Sequence, residues 1–277
     1  MSRIQTTFQR LQEQRRKALI PFLTAGYPKP ELTVSLMHTL VKSGADLLEL
    51  GIPFSDPMAD GPTIQRASEA ALRHGMSLKK ALALVKQFRE TDTATPIVLM
   101  GYANPIEAMG QEAFARAAAE AGVDGILTVD YALEESSEFA ALLEKFGLDA
   151  IFLLAPTSRH ERWAQLQTLA RGYVYYVSLK GVTGAGGLDL EEVAARVTAI
   201  RATLNLPVGV GFGIRDAETA ATLARHADAI IVGSRLIEEL EHAPVGEELA
   251  RIAALTLELR RGLDSVQPAP SHNPERG

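Results

Sequence analysis

The sequence predicts an α/β chain folded as a single-domain (β/α)8 TIM barrel, with an extra N-terminal helix and an extra helix after the second strand. Three observations predict it. Eight short β-rich runs recur along the 277 residues, most of them near-continuous apolar stretches rather than alternating ones. Segments of helical period lie between them. Continuous apolar runs mark parallel strands covered on both faces, and eight β–α units in this order close into a barrel.

The runs are ALIPFLTAG (18–26), DLLELGIPF (46–54), PIVLMGY (96–102), GILTVD (125–130), AIFLLAP (150–156), YVYYVS (173–178), PVGVGFG (207–213) and AIIVGS (229–234). The first helical segment between them, LTVSLMHTLVKSG, ends on Gly44, a helix stop signal. SLKKALALVKQFRE, QEAFARAAAEAG, EESSEFAALLEKFG, RHERWAQLQTLARG, DLEEVAARVTAIRATL, DAETAATLARH and GEELARIAALTLELRRG follow the same pattern. Several open on Ser or Asp and close on Gly, as helix capping requires. The extra helices fall at about 4–14 and about 63–73. No domain break interrupts the barrel, expected over 1–264. The last stretch, 265–277, is Pro-rich and polar and is expected to be a disordered tail.

Composition narrows the function classes. A formal charge of -6 offers no electrostatic footprint for nucleic acid or anionic membrane. Zero cysteines exclude disulfides, thiolate zinc sites and cysteine nucleophiles. The opening MSRIQTTFQRLQEQRRK lacks the apolar core of a signal peptide, and no apolar run approaches membrane-spanning length. The expectation is a soluble, cytoplasmic protein.

In a barrel of this class the active site lies at the C-terminal ends of the strands. Glu49 meets that condition best. Side chains alternate along a strand, so Leu47, Glu49 and Gly51 share one face. Both faces of a barrel strand are dry, and an unpaired carboxylate there costs several kcal/mol, roughly, unless it is paired or protonated. A buried ion pair is the structural reading, yet no strand offers a basic partner. The functional reading is a general acid–base group, since buried acids with raised pKa suit that role.

Asp56 and Asp60 follow in FSDPMADGPT, where Asp before Pro and Asp before Gly are ordinary turn residues. Asp60 could also cap the helix beginning near Pro62. Its place just beyond the strand bearing Glu49 makes it a catalytic candidate too. The last two strands end in GFGIRD (211–216) and GSR (233–235). Glycine lets backbone amides approach an anion and Ser234 adds a hydroxyl, so these ends are expected to bind phosphate rather than merely turn the chain. SLKGVTGAGG (178–187) reads as a lid with glycine hinges. Lys180 within it could form a Schiff base, but the adjacent Gly181 makes a desolvated amine hard to build. The six histidines are scattered, so neither a His-based metal site nor a Ser–His pair is expected. Phe22, Met100, Tyr102, Tyr175 and Phe212, with Leu127, gather at the strand mouths, either as core or as a pocket for an aromatic ring.

LELGIPFSDPMADGPTIQRA, PFLTAGYP, LMGYANPI, GYVYYVSLKGVTGAG and VGFGI, in order along nearly the whole chain, resemble the tryptophan synthase α subunit. The resemblance implies a lyase that cleaves indole-3-glycerol phosphate to indole and glyceraldehyde 3-phosphate, with no cofactor and no metal. It implies Glu49 as acid–base residue and Asp60 as second carboxylate. By the same resemblance Phe22, Tyr102, Leu127 and Phe212 hold the indole with Tyr175 nearby. Thr183 closes onto Asp60, and Gly184, Gly213, Ile214, Gly233 and Ser234 receive the phosphate. The implied partner is a pyridoxal-phosphate-dependent β subunit in an α2β2 complex, with Asp56, Pro57 and Asn104 on the facing side. Ala132 departs from the family, which usually has proline there, and this bears on partner affinity. Two other readings stand beside the lyase: a Schiff-base phosphate-sugar aldolase using Lys180, and a non-catalytic barrel that activates a β subunit.

Overall fold

The computed structural model describes residues 1–131, 136–158, 160–177, 190–211 and 213–266. The eight apolar runs form eight parallel strands: β1 (Ala18–Thr24), β2 (Leu48–Gly51), β3 (Ile97–Gly101), β4 (Gly125–Thr128), β5 (Asp149–Leu154), β6 (Val174–Val177), β7 (Val208–Gly211) and β8 (Ala229–Val232). Each pairs with the next and β8 pairs with β1, which closes the barrel. Around it run α1 (Arg3–Glu13), α2 (Thr33–Lys42), α3 (Pro62–Arg73), α4 (Leu78–Arg89), α5 (Ala103–Met109), α6 (Gln111–Ala121) and α7 (Ser136–Lys145). The ring continues with α8 (His160–Leu169), α9 (Leu190–Leu204), α10 (Ala217–Ala224), α11 (Ser234–Glu241) and α12 (Glu248–Asp264). Among the described residues no helix is long and apolar enough to cross a membrane.

Most strands are shorter than the runs that predict them, for local reasons. The run 18–26 stops at Thr24 because Gly26 turns to φ +86°, outside the strand region. The run 46–54 stops at Gly51, just before Pro53, which has no N–H to donate. Two helices were not anticipated. α5 accommodates Pro105 within its first turn, where proline is tolerated. α11 is only eight residues long, yet buries Leu236, Ile237 and Leu240 on one side. Capping signals are realised at Ser77 before α4, at Asp216 before α10 and at the left-handed Gly122 after α6.

Alternation divides the strands into two shells. Leu48, Leu50, Ile97, Leu99, Val208, Val210, Ile230 and Val232 join the helices in the outer core. Ile20, Leu47, Val98, Leu127, Ile151, Tyr173 and Ile231 fill the axis. The axial filling depends on glycines. A Cβ on Gly51 would lie 2.5 Å from the Phe22 ring, and one on Gly211 would lie 2.3 Å from the Tyr175 hydroxyl.

The N-terminal end of the barrel is closed by α1, whose Ile4, Phe8 and Leu11 belong to the axial core. The same end repeats one device. Asp46, Asp124 and Asp228, each near the start of a strand, accept the N–H of Leu19, Ile97 and Val208 on neighbouring strands. Arg260, Arg89 and Arg201 pair with the three carboxylates in turn. Strand N–H groups that would lack a ladder partner are thus satisfied, as buried backbone requires.

Gly51→Ala is expected to destabilise the chain by about 1–3 kcal/mol, because the new methyl must displace the Phe22 ring. Chemical denaturation compared with the wild type measures it, and an unchanged midpoint would contradict the packing described.

Candidate active site

Glu49 lies in the middle of β2, opposite Phe22 of β1 and Val98 of β3. It is 1 % exposed. Oε1 accepts a hydrogen bond from the Tyr173 hydroxyl, while Oε2 has no hydrogen-bond partner among the described residues. Burial pushes the Glu49 carboxyl up to about 7, against the opposing pull of the Tyr173 bond. A carboxyl poised there can both give and take a proton near neutrality. As the sequence indicated, no strand supplies a basic partner, and a phenol takes that place.

Asp60 is half-buried on the loop between β2 and α3. Its Oδ2 accepts the Tyr102 hydroxyl at 2.9 Å, and the Tyr102 oxygen accepts the Ala59 N–H at 3.0 Å. The capping reading does not hold, since Gly61 is the N-cap of α3 and no side chain caps it. Burial raises the Asp60 pKa while Tyr102 lowers it. Tyr175 is raised by burial first, then by the nearby charges of Glu49 and Asp60. One tyrosine therefore senses both carboxylates.

A small cleft opens beside Asp60. Phe22, Met100 and Tyr102 line it, together with Thr24, Ile64 and Ser68. Leu127 is wholly buried in the axial core beneath the mouth. A second cavity, between β4, β5 and α7, holds none of the candidate residues. No carboxylate is among the described residues that line it.

The glycine-bearing ends of β7 and β8 are adjacent through strand pairing. Gly213 is exposed at φ +66°, Ile214 is buried beside it, and Gly233 caps α11 without a side-chain bond. Ser234 is the exposed first residue of α11. α11 begins directly after β8, so its start lies at the C-terminal end of the barrel strands. Asp56 and Asn104 are exposed and Pro57 half-buried, on the loop after β2 and in α5 after β3. Lys180, Thr183, Gly184, Phe212 and Ala132 lie outside the described residues.

Sequence reasoning missed Tyr173. The signal was present: Tyr173 and Tyr175 are two residues apart, so an axial Tyr175 requires an axial Tyr173. Thr24 and Ser68 gave no comparable signal.

A barrel with a buried axial acid, a second acid at the mouth and glycine-bearing ends on β7 and β8 has the layout of an acid–base enzyme. The chain belongs to the tryptophan synthase alpha chain family, whose model matches residues 8–263. It is 62 % identical to the tryptophan synthase alpha chain of Azoarcus sp. (strain BH72) over 266 residues, covering 96 % of this chain and 98 % of that one. Identity to the Dechloromonas aromatica (strain RCB) alpha chain is 61 % over 267 residues, covering 96 % and 100 %. The crystal structure of tryptophan synthase subunit alpha from Legionella pneumophila str. Paris superposes with TM-score 0.90 at 48 % identity, covering 96 % and 100 %. A Mycobacterium tuberculosis tryptophan synthase structure gives TM-score 0.85 at 42 % identity, covering 95 % and 98 %. Family membership favours neither the Schiff-base aldolase nor the non-catalytic barrel.

Two outcomes follow from the state of Glu49. Its folded pKa lies above its ordinary 4.5, so ionisation opposes the fold. Stability is full below pH 4.5 and is lost as pH rises toward 7, by on the order of 3 kcal/mol. Glu49→Gln removes that loss, so its melting temperature at pH 8 should exceed that of the wild type. In Tyr173→Phe the bond favouring the carboxylate is gone, and the Glu49 titration seen by carbon NMR should move to higher pH. A titration unmoved or moved downward would remove Tyr173 as the partner.

Proposed function

We propose that Glu49 and Asp60 divide the chemistry of the α reaction of tryptophan synthase between them. The chain is a carbon–carbon lyase of L-tryptophan biosynthesis, which cleaves indole-3-glycerol phosphate to indole and glyceraldehyde 3-phosphate. The observation that carries the assignment of roles is the wholly buried Glu49, whose carboxyl is held near 7 on the barrel axis.

Retro-aldol cleavage needs an electron sink. Protonated Glu49 gives its proton to the ring carbon that bears the glycerol chain, which makes the ring an iminium. The side-chain hydroxyl then loses its proton, to the Glu49 carboxylate or through a bound water. The carbon–carbon bond breaks, its electron pair returns to the ring, and an aldehyde forms. One proton enters and one leaves, so the enzyme is restored.

Asp60 accepts the ring N–H, a bond that strengthens as the ring becomes cationic. That is stabilisation specific to the transition state. Phe22, Tyr102 and Leu127 enclose the ring, and the phosphate rests on amides at Gly213, Ile214, Gly233 and Ser234. By the family resemblance Thr183, Gly184 and Phe212 also take part in holding the substrate. The partner is the tryptophan synthase β subunit in an α2β2 assembly. It docks over Asp56, Pro57 and Asn104. The same reading makes the protein cytoplasmic.

The test is indole release from indole-3-glycerol phosphate by the chain, with and without a β subunit. Glu49→Gln is expected to lower kcat by about 1000-fold or more, while Asp60→Asn loses roughly 100-fold and still binds substrate. Near wild-type turnover by Glu49→Gln would sink the assignment.

A further inference from the structure

We infer that Thr24 is a positioning residue for Asp60, its hydroxyl donating to the Asp60 carboxylate when substrate fills the cleft. This rests on the reading of Asp60 as acceptor of the ring N–H. Thr24 ends β1 on the axial face, two residues beyond Phe22. It is 1 % exposed, and its Oγ1 has no hydrogen-bond partner among the described residues. A buried hydroxyl without a partner destabilises the fold, whereas valine has almost the same shape and an equal liking for strands. Within the fold as described, the hydroxyl does nothing that a methyl would not do better. Its use therefore lies with what happens in the cleft it lines.

Three side chains with acceptor oxygens line that cleft beside it: Asp60, Tyr102 and Ser68. The Tyr102 hydroxyl is already committed, accepting from Ala59 and donating to Asp60 Oδ2. Ser68, on α3, is neutral. Asp60 is the one carboxylate in the lining, and Tyr102 engages only its Oδ2. A bond to a charged acceptor is about twice as strong as a neutral one, so Asp60 is the favoured partner. Gly51 stands opposite Thr24 in the strand register, so no side chain of β2 intervenes in this layer.

Asp60 can also be drawn inward. Its loop neighbours Met58 and Ala59 are exposed, Met58 by 84 %, and the bonds that hold the loop come largely from the side chains of Tyr102 and Gln65, which can follow a small shift of Asp60. With Tyr102 on one oxygen and Thr24 on the other, the carboxylate is fixed in orientation. The remaining lone pair then faces the ring N–H, which a carboxylate held by one bond would meet only part of the time.

Three variants separate this from a packing role, assayed on the chain with its β subunit and indole-3-glycerol phosphate. Thr24→Val keeps the shape and removes the donor. Its kcat should fall by roughly ten-fold with little change in KM, while its thermal midpoint stays level or rises. Thr24→Ser keeps the donor and loses a methyl, so its midpoint should fall while kcat stays within about two-fold of wild type. In Ser68→Ala any fall in kcat should be smaller than that in Thr24→Val. Wild-type kcat in Thr24→Val would overturn the inference, as would a kcat that tracks the midpoint across the series. Loss of kcat in Ser68→Ala equal to that in Thr24→Val would assign the hydroxyl to Ser68 and overturn it too. Absence of indole release by the wild type would count instead against the residue roles proposed above.

Discussion

The barrel interior has to hold one carboxylate away from water, and the single phenol of Tyr173 is what makes this tolerable. Glu49 receives a hydrogen bond on one oxygen and none on the other. Two bonds, or a basic neighbour, would hold the carboxylate ionised and spoil it as an acid. No bond would leave it protonated and loosely placed. One bond leaves the carboxyl near 7, where both protonation states are populated. The packing around it follows from this requirement. β6 places Tyr173 and Tyr175 on the axis, and β7 beside it offers Gly209 and Gly211. Gly211 leaves the space that the Tyr175 ring fills, and Gly209 does the same for Ile231.

The two acids differ because their supports differ. Glu49 is built into a strand paired on both sides, so its backbone cannot move without breaking the barrel. Asp60 sits on a loop, tied by its side chain to Tyr102 at the end of β3. Tyr102 packs against Phe54 at 5.1 Å between ring centroids, so the loop leans on the same phenol at two points. A rigid acid suits proton transfer to a fixed carbon. A loop-borne acid suits a hydrogen bond that tightens as charge develops. On the reading proposed above, the two carboxylates follow the general pattern of acids given different roles by their environments.

The eight strands were legible because parallel barrel strands are apolar on both faces, and no other element of this length reads that way. Their ends were not, since Gly26 and Pro53 stop pairing inside runs that stay apolar. The short helices α5 and α11 were hidden by the same limit: seven or eight residues give too few turns for a period to show. Glu49 stood out because a strand acid is costly wherever it points. Asp60 did not, because its bond to Tyr102 joins residues 42 apart in sequence. The strand-capping aspartates were equally silent. Asp46, Asp124 and Asp228 precede strands in the sequence, but what they cap lies on another strand.

The N-terminal helix, which the barrel pattern treats as an addition, turns out to be tied to the chemistry. Phe8 of α1 lies with its ring 5.8 Å from that of Tyr173, in the same axial cluster as Ile4 and Leu11. The ring that donates to Glu49 is therefore backed by the Phe8 ring of α1. α1 is itself fastened to the barrel end by polar contacts, with Ser2 donating to Asp149 and Arg3 to Asp124. A chain of contacts runs from the capping carboxylates through α1 to Tyr173, and so to Glu49. Closing the barrel end and placing the acid are one piece of packing, because a phenol can fix a carboxylate only if its own ring cannot tilt.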